Sequence, residues 1–354
     1  MRRHLASICA VLGTAVATLG LCAGAAAAIS TGTMTAPSLA PAPAGQAAKK
    51  PPRPGRPKRK PTPGVHVHLF AFDAFFAARQ TLTVPERALH ITGVVSPYAP
   101  GQAVVVKAYL GHELISSHTL SVRPSRDRRD GRFIARVRAP RPGLLHVTVI
   151  HVATPRMPAF TATRTIASLR PHASPGDRGA FVALIQSQLA QLHFYIPQTG
   201  VYDLQTGLAI DAYHRLLHHG TSQALDGLTI SELLDERGAF AVRYPQDGRH
   251  VEADLGSQVL ALIVGSKVQA LYPISSGKPS TPTILGRFHV YLREPGYNSE
   301  GMYYSDYFIR GYAIHGYDPA PDYAASHGCL RLPISDAISV WNWLSIGVGV
   351  DVYQ

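Results

Sequence analysis

Cysteine is nearly absent: among 354 residues only Cys9, Cys22 and Cys329 carry a thiol. The chain is therefore not a small scaffold stapled by disulfides. Charge is also sparse, with 16% charged residues against a hydrophobic share of 46%. That balance supplies material for buried cores and excludes a wholly disordered chain. Only one long apolar run exists, at the N-terminus, and mean hydropathy is +0.03, which argues against a multi-span membrane protein. Residues 1–64 contain no acid at all and nine Lys and Arg. Residues 65–165 carry a net +8 and residues 166–354 a net −5. A nucleic-acid binder would be basic throughout, so no nucleic-acid partner is expected.

Residues 1–28 read as a secretory signal peptide. Arg2 and Arg3 precede an uncharged apolar stretch from Leu5 to Leu21, and Ala26-Ala27-Ala28 offers a cleavage site. The protein is then exported and extracytoplasmic; a retained signal would make it membrane-tethered. Cleavage removes Cys9 and Cys22, leaving Cys329 alone. An unpaired thiol in an exported protein is either used or buried. Residues 29–64 form a Pro/Ala/Lys/Arg-rich disordered linker, with seven positive charges between Lys49 and Pro61. Repeated proline keeps it extended. It reads either as a tether that binds anionic wall polymers or as a solvated spacer.

The rest predicts a multidomain chain. In residues 65–168, short β-rich segments such as Leu89–Val94, Ala103–Tyr109, Phe133–Val137 and Leu145–Val152 are separated by Pro- and Gly-containing turns. This spacing suggests a small β-sandwich. The Gly93-Val-Val-Ser-Pro97 segment, followed by Gly101 and a strand, resembles bacterial immunoglobulin-like modules. Within 169–240 the period changes. Apolar residues recur three and four apart over Gly179–Leu192 and Asp203–Tyr213, with Asp203 as a helix cap, and a third helix is expected near Leu228–Leu234. Gly179, Ile185-Gln186, Leu192-His-Phe194, Gly200-Val-Tyr202-Asp203 and Ala209-Ile210 resemble the three-helix peptidoglycan-binding domain family. That resemblance implies the fold and leaves glycan binding open.

Residues 248–354 return to a β pattern. Val251–Leu255 and Val259–Val264 suggest a hairpin, Gly286–Leu292 a strand, Ser335 a cap for a helix over 336–344, and Gly347–Val352 a closing strand. A thiol is a weak nucleophile unless a base or a positive neighbour helps it ionise. Cys329 has two histidines near it. His327, two residues away, would share its side on a strand. His315 lies 14 residues upstream, where a chain return can bring it beside the thiol. Gly328 lets backbone N–H groups approach a substrate oxygen. Together these suit acyl transfer. A zinc site built from His315, His327 and Cys329 and a non-catalytic wall-binding protein are the rival readings.

The constellation resembles the L,D-transpeptidase, or YkuD-type, catalytic domain, which is mainly β. The resemblance is carried by His315-Gly316, a loop, then Ser326-His327-Gly328-Cys329-Leu330-Arg331, with Ser275-Ser-Gly277 and Thr283-Ile-Leu-Gly286-Arg-Phe288 upstream. Ile284 stands where the family has proline. The resemblance implies a Cys329 nucleophile, His315 as general base and acid oriented by a backbone carbonyl, His327 shaping the site, and Gly328 and Cys329 amides in an oxyanion hole. It implies no cofactor and no metal. Peptidoglycan stem peptides are the implied substrates, 3→3 cross-links the product, and carbapenem-type β-lactams inhibitors. L,D-carboxypeptidase action on the same stem is the alternative. Tyr304, Gly316, Ser326 and Arg331 are the candidate substrate-binding residues, Arg331 for a carboxylate unless an internal salt bridge claims it.

Overall fold

Alternating inward and outward side chains build the first part of the chain. The computed structural model describes residues 64–354; the expected signal peptide and nearly all of the linker lie outside them. Residues 66–168 form β1 (His66–Phe72), β2 (Phe75–Ala77), β3 (Gln80–Thr83), β4 (Leu89–Ser96), β5 (Ala103–Leu110), β6 (Glu113–Ser121), β7 (Arg123–Pro124), β8 (Gly131–Val137), β9 (Gly143–His151) and β10 (Phe160–Ser168). They make a sheet ordered β1-β4-β8-β7 and a second ordered β2-β3-β10-β9-β5-β6. Leu89, Ile91 and Val95 of β4 and Phe133 of β8 meet Val104 and Val106 of β5 and Val147 of β9 in one shared core. The period of two is why these residues point together.

Three helices follow: α1 (Ala180–Gln191), α2 (Leu204–Leu216) and α3 (Gly227–Leu234). Asp203 caps α2 by accepting the Thr206 N–H, and Asp226 caps α3 through Thr229 N–H. The C-terminal segment adds β11 (Arg249–Asp254), β12 (Val259–Val264), β13 (Lys267–Pro273), β14 (Gly286–His289), β15 (Leu292–Tyr297), β16 (Tyr303–Ile309), β17 (Tyr312–Gly316), β18 (Leu330–Leu332), α4 (Ile334–Trp343) and β19 (Gly349–Tyr353). Its sheets are ordered β13-β12-β11-β19-β14 and β15-β16-β17-β18.

The helices share their core with the five-stranded sheet. Val259, Ala261 and Ile263 of β12 and Leu271 of β13 join Leu184, Leu189, Ile210 and Tyr213 in one buried cluster. The alternate residues Leu260 and Leu262 join Val251, Phe308, Ile314, Leu330 and Val340 in the cluster between the two C-terminal sheets. A strand apolar on both faces needs a layer on each. A compact helical bundle standing by itself is therefore not what residues 180–234 form.

Two local expectations are corrected. The stretch 286–292 is not one strand. It breaks at Val290, whose amide bonds Val348 and whose carbonyl accepts from Gly347, and the chain crosses from one sheet to the other. Ser335 does not cap α4; Pro333 holds that position, and the Ser335 hydroxyl bonds Asp336 Oδ1.

Candidate active site

Parallel pairing of β17 with β18 assembles the site. Ile314 faces Leu330, and His315 faces Arg331. Cys329, one residue before Leu330, thus stands level with Ala313, two residues before His315. Its thiol accepts the Ala313 N–H at 3.4 Å and lies 3.7 Å from Gly311 O. The thiol is half-buried. Burial pushes its pKa up, while the Ala313 N–H and the Arg331 charge pull the other way.

His315 is buried, at 2% exposure, and its Nδ1 lies 2.9 Å from Gly316 O. That bond fixes the ring and leaves Nε2 as the lone-pair nitrogen. Burial lowers its pKa to about 4; the Gly316 carbonyl opposes this and Arg331 adds to it. The Arg331 charge therefore acts on both His315 and Cys329. At rest the thiol and the imidazole are both neutral.

The turn carrying Cys329 is tied down. Ser326 Oγ accepts the Gly328 N–H at 3.0 Å and donates to Cys329 O at 2.6 Å. Gly328 has φ of +120°, and a Cβ there would fall 1.7 Å from Tyr312 Cε1; only glycine permits this close approach. The segment 275–283 holds the turn from outside. Ala325 and Ser326 amides donate to Ser276 O, the Lys278 amide donates to Ser326 O, and Ser275 exchanges both backbone bonds with Arg331. The Ser-x-Gly motif thus grips the loop that carries Cys329.

Several expected roles change. His327 lies in a bend rather than on a strand, is exposed, and has Lys278 Nζ 3.2 Å from its Nε2. The alternation argument that aimed it alongside Cys329 fails. The Gly328 N–H is taken by Ser326 Oγ, whereas the Cys329 N–H has no partner among the described residues. Ser326 is buried with its hydroxyl bonded to backbone on both sides, and Gly316 is buried with its carbonyl oxygen on His315 Nδ1. Tyr304 is half-buried and packs edge-on against Tyr303 and Trp341. Arg331 has no carboxylate within ion-pair distance among the described residues; its guanidinium lies 4.1 Å over the Tyr317 ring. The internal salt bridge is not there.

Residues that sequence reasoning passed over support the loop. Gln258 exchanges two hydrogen bonds with Ser276, each 2.8 Å. Arg215 of α2 pairs with Asp211 at 2.9 Å and donates to Gln258 O at 2.8 Å. An Asp and an Arg four apart on the inner face of an apolar helix were the available signal. Among the described residues no group of three or more His, Cys, Asp or Glu is placed to hold a metal ion.

Residues 248–352 match the YkuD family model, the L,D-transpeptidase catalytic domain. The match includes Cys329, His315 and Arg331. An L,D-transpeptidase from Xylanimonas cellulosilytica is 28% identical over 51% of this chain and 97% of that one, with a TM-score of 0.49. A mutant of Enterococcus faecium L,D-transpeptidase is 28% identical with a TM-score of 0.27, and the alignment covers 30% of this chain and 50% of that one. The chain thus spans about half of that enzyme. The catalytic domain of the E. faecium enzyme acylated by ertapenem is 28% identical over 30% of this chain and 98% of that one, with a TM-score of 0.26. No curated protein matches the chain.

Proposed function

We propose that the protein is an exported cysteine L,D-transpeptidase that forms 3→3 cross-links in peptidoglycan through a thioester on Cys329. The observation that carries this reading is the parallel pairing of β17 and β18, which joins the His315 strand to the Cys329 turn, with a half-buried thiol on the Ala313 N–H and an imidazole whose Nδ1 is pinned to Gly316 O.

His315 Nε2 takes the thiol proton as Cys329 Sγ attacks the carbonyl after the third residue of a tetrapeptide stem. The tetrahedral oxygen receives the Cys329 N–H. When the intermediate collapses, the C–N bond to the terminal D-alanine breaks. His315 returns the proton to that amine, leaving a thioester. The side-chain amine of a second stem then attacks the thioester carbonyl. His315 accepts the amine proton, the C–S bond breaks, and the sulfur is reprotonated. Water in place of the amine gives carboxypeptidase action. Arg331, free of an internal carboxylate, is suited to a substrate carboxylate. A carbapenem acylates the same sulfur, as ertapenem acylates the E. faecium domain. In the same reading the linker 29–64 is the tether, residues 65–168 an immunoglobulin-like spacer module, and residues 169–240 a peptidoglycan-binding-like domain resting on the catalytic domain 248–354.

Mass spectrometry of the protein with disaccharide-tetrapeptide, beside Cys329→Ala, tests this. A cross-linked dimer lacking one alanine, absent with the variant, is expected. Tripeptide alone makes the enzyme a carboxypeptidase. Unchanged substrate together with no carbapenem adduct on Cys329 sinks the proposal.

A further inference from the structure

The outward face of the β1-β4-β8-β7 sheet has no function in the reaction above, and its side chains are ordered in rows. The register aligns His68, Val94, Arg132 and Arg123 across the four strands. The next row along is Phe70, Thr92 and Ile134, and the third is Phe72, His90 and Arg136. All three arginines are exposed and none has an ion-pair partner among the described residues. No Asp or Glu occupies an outward position of these strands; His90 alone is engaged, by Asp73 at 2.6 Å from the loop after β1.

Arg123 and Arg132 are direct cross-strand partners. Like charges placed opposite one another destabilise a sheet. Here two guanidinium groups are held in that relationship with nothing to neutralise them. Beside them lies a cavity of about 390 Å³, lined by Thr119, Leu120, Ser121, Arg123, Arg132, Phe133 and Ile134. Its polar lining is the two guanidinium groups and two hydroxyls, and the rest is apolar. A phosphate accepts such paired forks with good geometry.

We propose that this face binds a linear phosphodiester polymer, with one phosphate held between Arg123 and Arg132. Arg136 is four residues along β8 from Arg132, about 14 Å at the rise of a strand. One small anion cannot span that distance, whereas a chain of repeating phosphates can. Phe70 and Phe72, 48% and 56% exposed, lie on the same face and cover the carbon skeleton between phosphates. In sequence, a further basic stretch from Lys49 to Lys60 precedes β1.

Titrating the full chain with fluorescently labelled poly(glycerol phosphate) tests the assignment. Arg123→Gln/Arg132→Gln is expected to weaken binding about tenfold or more and to flatten its dependence on salt. The double variant should keep the parent's Tm or exceed it, since a like-charge pair is relieved, and should keep activity on soluble stem peptide. Arg136→Gln should weaken the polymer but leave the affinity for inorganic phosphate alone unchanged. Equal polymer affinity for parent and double variant overturns the proposal, because the basic stretch then carries the binding. So does binding of inorganic phosphate as tight as that of the polymer, or equal competition by phosphatidylglycerol vesicles.

Discussion

His315 Nδ1 lies 2.9 Å from the carbonyl oxygen of Gly316, and burial holds the imidazole pKa near 4. A general base must be neutral to act, so the acid limb of kcat/KM should fall near pH 4 rather than near 6.5. The same shift enters stability. The folded imidazole has the lower pKa, so the unfolded chain takes up the extra proton between pH 6.5 and about 4. The contribution is whole above pH 6.5 and is lost as pH falls to about 4, about 3 kcal/mol in all. Urea unfolding across that window should show a steeper pH dependence for the parent than for His315→Gln. Matching slopes would mean the imidazole is not buried as described.

Cys329 rests as a thiol, because burial outweighs the Ala313 N–H and the Arg331 charge. Iodoacetamide alkylation of the sulfur should be slow at pH 7 and rise about tenfold per pH unit, without a plateau below pH 9. A plateau at neutral pH, followed by mass spectrometry, would point to a preformed thiolate.

The Ser326 hydroxyl bridges the Gly328 amide and the Cys329 carbonyl. Ser326→Ala leaves both groups without a partner. At about 1–3 kcal/mol for such groups, acylation of Cys329 by a carbapenem should slow by about 10- to 100-fold while the thiol remains titratable. Stopped-flow acylation reads the rate; an unchanged rate would free Ser326 from the clamp assigned to it.

Cys329 and His315 were legible because a lone thiol, an upstream His-Gly and a neighbouring Gly form a pattern in linear sequence. Their supports were not. Arg215 lies more than 100 residues from Cys329 in the chain, and its link runs through Gln258 and Ser276. His327 was misplaced because two-residue alternation holds only on a strand, and the turn at 326–329 is a bend forced by Gly328. The Gly328 amide looked available because a sequence does not show that a serine two residues back will occupy it. The shared core could have been anticipated from Val259-Leu-Ala-Leu-Ile-Val264, an unbroken apolar run rather than an alternating one, which asks for burial on both faces.

Arg331 lies over Tyr317 with no carboxylate near it among the described residues, and its charge bears on both His315 and Cys329. Arg331→Met should raise KM for a stem bearing a free carboxylate by about tenfold or more. The amide-capped stem should be affected far less. Equal losses on both substrates would assign Arg331 to positioning the turn instead.

The helices and β12 share one core. Residues 248–354 expressed alone would present Val259, Ala261, Ile263 and Leu271 to water, all of them buried in the chain. That fragment should aggregate or melt well below the parent, and residues 169–354 should unfold in one transition. In the full chain, Arg215→Met strands the Asp211 carboxylate, whose partner lies at 2.9 Å with side-chain exposures of 6% and 3%. Removing one member of a buried pair costs about 3–5 kcal/mol, whereas replacing both with apolar residues is often neutral. Asp211→Leu/Arg215→Met should therefore regain most of the Tm lost by Arg215→Met alone. A monomeric 248–354 fragment melting at the parent's Tm would show that the helices do not hold the catalytic sheet, and the helical layer would then be a separate module resting against it.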